Sequence, residues 1–124
     1  MTNQDKVQEF METFGQTVQS YPGFPERETL DLRLELIQEE VAELIAGVAK
    51  RDFENVAKEL VDILYVVYGM GHALGISLDK CFAEVHRSNM SKLEDGRVLY
   101  RPDGKVMKGK DYSPAQLNGI IGHP

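Results

Sequence analysis

The chain has 124 residues, of which 42% are apolar, and a net charge of −6. This suits a single domain with a core of its own. No run approaches the ~18 apolar residues of a membrane-spanning helix, and the acidic balance argues against a binder of duplex nucleic acid. The lone cysteine, Cys81, excludes an intrachain disulfide and a cysteine-based zinc site. The N-terminus lacks a basic and apolar leader, so we expect a cytoplasmic protein.

The charge is unevenly distributed. Segment 97–110 contains five basic residues and one acid, a charge of +4 that leaves −10 on the rest of the chain. We expect an acidic helical body over 1–94 and a basic C-terminal tail over 95–124, within one domain overall. This arrangement would set metal-binding carboxylates beside phosphate-binding cations, although charge alone favours a solvated tail.

Two helices are predicted in the first half of the chain. The first covers 3–20, where apolar residues recur on one stripe, and the prolines and glycine of 21–25 end it. The second covers 28–50, and its apolar residues recur at spacings of four and three. Such a seam is typical of a helix bundle or a helical dimer.

Two more helices and a tail follow. The third begins after the capping residue Asp52 and ends at Gly75. Because it is apolar on nearly all sides, we expect it to be the central, most buried helix. The fourth begins after Ser77 and ends near Lys92. Beyond it, two Asp-Gly pairs predict turns, and 97–101 with 105–107 indicate a small hairpin.

The second and third helices each carry an acidic motif. Glu40 and Glu43 lie three residues apart and therefore on one side of a helix, as do Glu59 and Asp62. Only a residue or two joins the helices, so we expect an antiparallel hairpin. That hairpin would bring the four carboxylates to face one another.

Asp62 makes a metal site the better interpretation. It stands in an apolar run, and burying an unpaired carboxylate costs several kcal/mol. A hard divalent cation such as Mg²⁺ would compensate a carboxylate cluster, and Mg²⁺ also binds substrate phosphates. Each acid alone has a simpler explanation. The glutamates of the second helix would suit a solvated face, Glu59 could pair with Lys58 or Lys92, and Asp62 could bond to a hydroxyl.

Three motifs together resemble the MazG-like all-α nucleoside triphosphate pyrophosphohydrolases, which include phosphoribosyl-ATP pyrophosphohydrolases and dimeric dUTPases. The motifs are Glu39-Glu40-x-x-Glu43, Glu59-Leu-Val-Asp62-Ile-Leu and His86-Arg-Ser-Asn89-Met-Ser-Lys92-Leu. The resemblance spans about residues 30–92 and extends to the glycine- and lysine-containing tail.

The resemblance implies an all-α four-helix bundle with a short irregular or hairpin tail, completed as a homodimer or homotetramer. It implies Glu40, Glu43, Glu59 and Asp62 as ligands of Mg²⁺, for which Mn²⁺ can substitute. It places Asn89 and Lys92 at the phosphates of a nucleoside triphosphate. The implied reaction is hydrolysis between the α- and β-phosphates to a nucleoside monophosphate and pyrophosphate, for control of the nucleotide pool.

Further roles follow from these positions. Glu39 lies about 40° from Glu43 around the helix, and we expect it to position or deprotonate the attacking water, a solvent-facing role being the alternative. We expect the tail to cover the triphosphate as a cationic flap through Arg97, Lys105 and Lys108. An exposed tail or a dimer-edge hairpin would fit the same charges.

Other functions stay open on sequence alone. The substrate is a canonical or modified (d)NTP, dGTP among the candidates, and no residue encodes a base preference. Phosphoribosyl-ATP is a less favoured substrate. A helical dimerisation module would explain the apolar seam but not the acid within an apolar run, and a nucleotide-binding regulator without turnover would explain both. We expect neither nucleic acid nor membrane as a partner.

Overall fold

The computed structural model describes residues 1–121, and helix α1 begins it at Asn3–Thr13. Thr2 caps this helix through a reciprocal pair, its side chain accepting from the Asp5 amide while the Asp5 carboxylate accepts from the Thr2 amide. The helix ends seven residues before the end predicted from sequence. Gly15 adopts φ +74°, and the amide of Gln16 bonds back to the Met11 carbonyl at 2.8 Å. This glycine-dependent stop acts before the prolines do.

Helices α2, Arg27–Ala49, and α3, Phe53–Leu74, form the antiparallel hairpin that the sequence predicts. The connection is short, and Arg51 turns the chain with φ +56°. Asp52 caps α3 by accepting a hydrogen bond from the Asn55 amide at 3.1 Å. Helix α1 packs against α3.

Residues of α2 and α3 face one another in a single register along the whole hairpin. Near its closed end, Gly47 faces Asn55, and in its middle Glu43 faces Glu59. Towards the open end Arg33 faces Gly69, whose missing side chain leaves room for the guanidinium. The register therefore determines which charged side chains of α2 meet which positions of α3.

The C-terminus of α3 is fixed by the loop that follows α1. Gly75 ends the helix with φ +70°, and any side chain there would run into the Tyr21 carbonyl. Amides of Gln19 and Gly23 donate to the carbonyls of His72 and Leu74, at 2.9 and 3.0 Å. The loop thereby satisfies carbonyl groups that the helix end leaves unpaired.

Burial of α3 is uneven within a single chain. The segment from Gly69 to Ala73 is largely buried, as predicted for a central helix. On the first half of the helix, however, Leu60, Val61 and Leu64 are each at least 50% exposed. Helix α3 therefore contains more buried residues than any other helix of residues 1–121, as expected of the central helix, while α1 and α2 leave this apolar stripe uncovered.

The chain divides into two compact units. The first contains Met1–Leu78, and the second begins at Asp79. The second contains all but the first residue of α4, Leu78–Met90, and the short α5, Asn118–Ile121. Helix α4 ends two residues before the predicted Lys92. The hairpin predicted for 97–101 and 105–107 is reduced to one antiparallel bridge between Tyr100 and Val106. The described residues contain no continuous strand. Residues 122–124 of the predicted tail lie outside the described residues.

The second unit is held together by side chains that bind the tail backbone. Glu84 forms two hydrogen bonds with Arg87, at 2.7 and 2.8 Å, and accepts a third from the Gln116 amide at 2.7 Å. The hydroxyl of Ser91 accepts from the Ser113 amide at 2.8 Å. These bonds fasten the tail backbone to α4.

No single helix within residues 1–121 is long and apolar enough to cross a membrane, and only α3 and α4 taken together meet that test of length and composition.

Candidate metal centre

Three of the predicted carboxylates meet in the middle of the α2–α3 hairpin. Glu40 and Glu43 extend from successive turns of α2, and Glu59 reaches them from α3. One oxygen from each of the three lies within 4.8 Å of the others. The arrangement follows from the i, i+3 spacing on α2 and from the register of the hairpin. We call Glu40, Glu43 and Glu59 the carboxylate cluster.

The cluster combines burial with unsatisfied oxygens. Glu59 is 3% exposed, and Glu40 is half-buried. One oxygen on each of these two residues is shielded from solvent and has no hydrogen-bond donor among the described residues. Buried polar atoms are almost always bonded, so two such oxygens on residues of one cluster favour the binding of an electropositive group.

Electrostatics give the same indication. The pKa of Glu59 is raised, chiefly because it lies close enough to the Glu40 carboxyl to share a proton, and further because it is buried. The pKa of Glu43 is raised by a shared proton with Glu59 and by the repulsion between the two charges. Without a cation, Glu43 and Glu59 therefore hold protons more tightly than isolated glutamates do.

Asp62 lies outside this set of three and has a partner of its own. Its Oδ2 accepts from the ammonium of Lys58 at 2.6 Å, one turn earlier on α3. The same ammonium lies 3.8 Å from Glu59. From the sequence, Lys58 was expected only as an alternative partner of Glu59, and its place beside Asp62 was missed. The i, i+4 spacing was the available signal.

The donor set fits a hard divalent cation. All candidate ligands are carboxylate oxygens, and no histidine or cysteine of the described residues joins the cluster. Oxygen-only sites suit Mg²⁺, Ca²⁺ or Mn²⁺ rather than zinc or copper. Mg²⁺ needs only one or two carboxylates and completes its shell with water and phosphate oxygens, so this small cluster fits it.

The remaining predicted residues take different positions. Glu39 is exposed on α2, next to the cluster in sequence. Asn89 is exposed on α4, and Lys92 is half-buried just beyond that helix. Both of the latter belong to the second unit, and their contact with phosphate stays a prediction.

The basic residues of the tail are partly neutralised by the tail itself. Arg101 pairs with Asp103, and Lys110 pairs with Asp95 at 3.0 Å. The ammonium of Lys108 lies 4.8 Å from the centre of the Tyr112 ring. Arg97 and Lys105 are exposed and form no ion pair within residues 1–121. Of the cations predicted for a flap, these two are the ones available to an external anion.

Comparison with known proteins agrees with this chemistry. A family model described as phosphoribosyl-ATP pyrophosphohydrolase matches residues 7–89, which include the last seven residues of α1, the hairpin and nearly all of α4. An uncharacterized protein of Acanthamoeba polyphaga mimivirus is 46% identical over 82 residues. That alignment covers 63% of this chain but 33% of the viral protein, so the chain spans about a third of this relative's length.

Proposed function

The chain belongs to the phosphoribosyl-ATP pyrophosphohydrolase family, part of the MazG-like all-α superfamily, and from that premise we propose that it is an Mg²⁺-dependent nucleoside triphosphate pyrophosphohydrolase. The reaction converts a (d)NTP to the nucleoside monophosphate and pyrophosphate. Mn²⁺ substitutes for Mg²⁺, as oxygen ligands allow. The biological role that we propose is control of the nucleotide pool in the cytoplasm.

The observation that carries the proposal is the pair of unsatisfied, buried oxygens on Glu40 and Glu59. A purely structural cluster would surround them with donors, because an unpaired buried acceptor destabilises the fold. The protein instead keeps oxygens of three carboxyl groups within 4.8 Å of one another. A site whose strain is relieved by a cation is better explained by ligand binding than by packing, which also disfavours a simple dimerisation module.

In the proposed mechanism, Glu40, Glu43 and Glu59 would hold the cation, and Asp62, which pairs with Lys58 in the structure, would be available as a fourth carboxylate. Bound Mg²⁺ supplies positive charge that offsets the charge of the phosphates. Glu39 accepts a proton from water, whose oxygen bonds to the α-phosphorus. The bond from that phosphorus to the α–β bridging oxygen breaks, and pyrophosphate leaves. Asn89 and Lys92 contact the phosphate oxygens.

The decisive experiment is a substrate panel scored for its products. Purified protein is incubated with each NTP and dNTP and with phosphoribosyl-ATP, in Mg²⁺, in Mn²⁺ and in excess chelator. We expect pyrophosphate rather than orthophosphate, and no turnover in chelator. Phosphoribosyl-ATP belongs in the panel because the family description names it. Turnover of that compound alone would replace the proposed substrate class, and nucleotide binding without turnover would indicate a regulator.

We propose that the active form is a homodimer or homotetramer. The support is the apolar surface that one chain leaves exposed on the hairpin, which includes Leu34 and Ile45 on α2 and Val61 and Leu64 on α3. Light scattering at micromolar concentration should give at least twice the chain mass. A well-folded monomer with full activity would contradict this part of the proposal.

The cationic flap is also still a proposal, and the two unpaired cations allow a sharp test. Removing the whole tail would also remove the bonds that hold α4, such as that between Glu84 and Gln116. The double variant Arg97→Gln/Lys105→Gln keeps the tail and removes its free charge. We expect a KM for the triphosphate raised several-fold at low salt and less at high salt. Lys50→Gln at the end of α2 serves as the control for loss of an exposed lysine.

A further inference from the structure

A second pocket opens on the α2–α3 hairpin, away from the carboxylate cluster. It is a cavity of about 270 Å³ enclosed by α1, α2 and α3. Its lining is almost wholly apolar, apart from Arg33 and Gln16. The rings of Phe10 and Tyr65 form part of its wall, meeting edge to face with their centres 5.6 Å apart, and each side chain is 37% exposed. The cavity therefore offers flat aromatic surface that a ligand can reach.

Arg33 is the exceptional residue in this wall. It is 5% exposed, and within residues 1–121 it has no acidic partner. One terminal nitrogen donates to the Gln16 side chain at 2.9 Å, but the buried Nε has no acceptor in the described residues. Burial lowers the pKa of this guanidinium. A buried, unpaired donor of this kind costs stability and calls for an acceptor.

The position of Arg33 relative to the carboxylate cluster is informative. Arg33 and Glu40 lie seven residues apart on α2, two turns along the same face, which corresponds to about 10 Å. On α3, Val66 of the cavity wall follows Glu59 by the same seven residues, so it has the same spacing along its helix. A nucleotide whose phosphates lie at the cluster needs only its sugar to bridge this gap, and its base then reaches the cavity.

We propose that the Arg33 cavity binds the nucleobase of the substrate and selects bases that carry an oxo group rather than an amino group, above all the 6-oxopurines guanine and hypoxanthine. This inference rests on the proposed function and specifies its substrate class. The nucleobase stacks against the aromatic wall, and its oxo edge accepts hydrogen bonds from Arg33.

The selectivity follows from the chemistry of the guanidinium, which has donors and no acceptor. The O6 and N7 atoms of a 6-oxopurine are adjacent acceptors and match it. Adenine presents an amino donor at the same position, so a buried donor would meet a donor and both would stay unpaired. Such a mismatch is expected to change kcat/KM by about 10-fold or more.

The test compares Arg33→Met with Arg27→Gln, an exposed arginine of the same helix that pairs with Asp31 on the surface. For each protein, kcat/KM is measured with dGTP, dITP and dATP. We expect the native chain and Arg27→Gln to prefer dGTP and dITP over dATP by about 10-fold or more, and Arg33→Met to lose that preference. A structural role for Arg33 would lower all three values together and leave their ratio unchanged, which would overturn the proposal.

A second variant guards against loss of folding. In Gly69→Ala the added methyl group would lie 2.8 Å from a terminal nitrogen of Arg33. It therefore displaces the guanidinium while keeping its charge, and we expect a reduced dGTP preference in a folded protein. An unchanged preference in both this variant and Arg33→Met would refute base selection by Arg33.

Binding measurements without metal separate this inference from the proposed function. Calorimetry with guanosine, adenosine and inorganic tripolyphosphate is carried out on the native chain and on Arg33→Met. We expect guanosine to bind more tightly than adenosine, in an Arg33-dependent manner, even where no hydrolysis occurs. Arg33-dependent binding of tripolyphosphate instead would make the cavity a phosphate site and overturn the inference. Hydrolysis with no base preference would leave the proposed function intact and remove the inference alone.

Discussion

The middle and the open end of the α2–α3 hairpin carry buried charges of opposite sign. In the middle, the carboxylate cluster holds oxygens without donors, and two turns away Arg33 holds a donor without an acceptor. The two regions differ in their surroundings. The cluster has the ammonium of Lys58 at its edge, whereas Arg33 stands among apolar and aromatic side chains. The cluster therefore suits a small cation, and the cavity suits a flat ring with acceptors.

The contrast explains how one hairpin can orient a polar substrate. A ligand that satisfied only one region would leave the other strained, since each buried group stays costly until it is paired. A nucleotide with bound Mg²⁺ satisfies both at once. The two regions can be tested separately, because substitutions at one leave the other's ligands in place.

Neutralising the cluster should have the largest effect. Glu43→Gln and Glu59→Gln each remove a charge that holds the cation, and we expect activity to fall about 100-fold or more, since metal catalysis contributes several kcal/mol. Turnover measured against Mg²⁺ concentration checks this. The control is Glu35→Gln, which removes an exposed carboxylate from the same helix and should leave kcat unchanged. Near-native activity of Glu59→Gln would contradict the assignment of the metal site.

The same substitutions that lower activity should raise the stability of the protein when no metal is bound. Removing an uncompensated buried charge relieves strain, so Glu59→Gln in chelator should melt higher than the native chain, by a few °C. Arg33→Met should change little, because it loses the bond to Gln16 along with the charge. Calorimetric melts with and without Mg²⁺ measure both. A large loss of stability in Glu59→Gln would mean that the cluster is structural.

The two regions also differ in how well the sequence predicts them. The acids occur as two motifs with the same spacing on adjacent helices, so helix geometry alone predicts that they face one another. Arg33 is a single arginine beside an apolar seam, where a solvated end is the ordinary expectation. Its burial depends on Gly69 and on α1, which are distant in sequence. Tertiary packing of this kind leaves no local signal.

The same reasoning applies to the fold. The hairpin and the Asp52 and Gly75 boundaries were predictable, because caps and periodicity are local. The end of α1 was not, since the sequence offered prolines at 22 and 25 as a more obvious stop than Gly15. Asp62 forms an ion pair with Lys58 instead of joining the carboxylate cluster. Both arrangements fit the helical spacing, so the sequence could not decide between them.

The pH dependence of stability should reflect the strain in the cluster. The pKa values of Glu43 and Glu59 are raised in the folded protein. The stability linked to these groups is therefore fully present below their unfolded value of about 4.5 and is lost as the pH rises through the raised value. In chelator we expect the melting temperature to carry a destabilising contribution towards neutral pH. Mg²⁺ or the substitution Glu59→Gln should remove it, and an identical pH profile in all three samples would refute the explanation.

Substitution of Lys58 should have a smaller effect, on the affinity of the carboxylate cluster for Mg²⁺. Its ammonium bonds to Asp62 and lies close to Glu59, where it competes with an external cation. Lys58→Gln should therefore tighten Mg²⁺ binding by a few-fold, as expected for an exposed pair that contributes at most about 1 kcal/mol. Calorimetric titration with Mg²⁺ measures this, and Lys50→Gln controls for the loss of one positive charge. Weaker Mg²⁺ binding would instead make Lys58 a supporting part of the site.

Glu84 of the second unit contrasts with the carboxylate cluster, because both of its oxygens accept hydrogen bonds. We expect its substitution to have the smallest effect. Arg87 and the Gln116 amide hold the pKa of Glu84 down to about 2. Its contribution to stability is therefore present above about 4.5 and is lost only as the pH falls towards 2, the reverse of the dependence expected at Glu59. Glu84→Gln should lower the melting temperature slightly at neutral pH and not at pH 2, and should speed hydrogen exchange at Gln116. Mg²⁺ should change neither result, because both oxygens of Glu84 are already bonded within its own unit. If Mg²⁺ raised the melting temperature of the native chain but not that of Glu84→Gln, unsatisfied oxygens would not be what distinguishes the carboxylate cluster as the metal site.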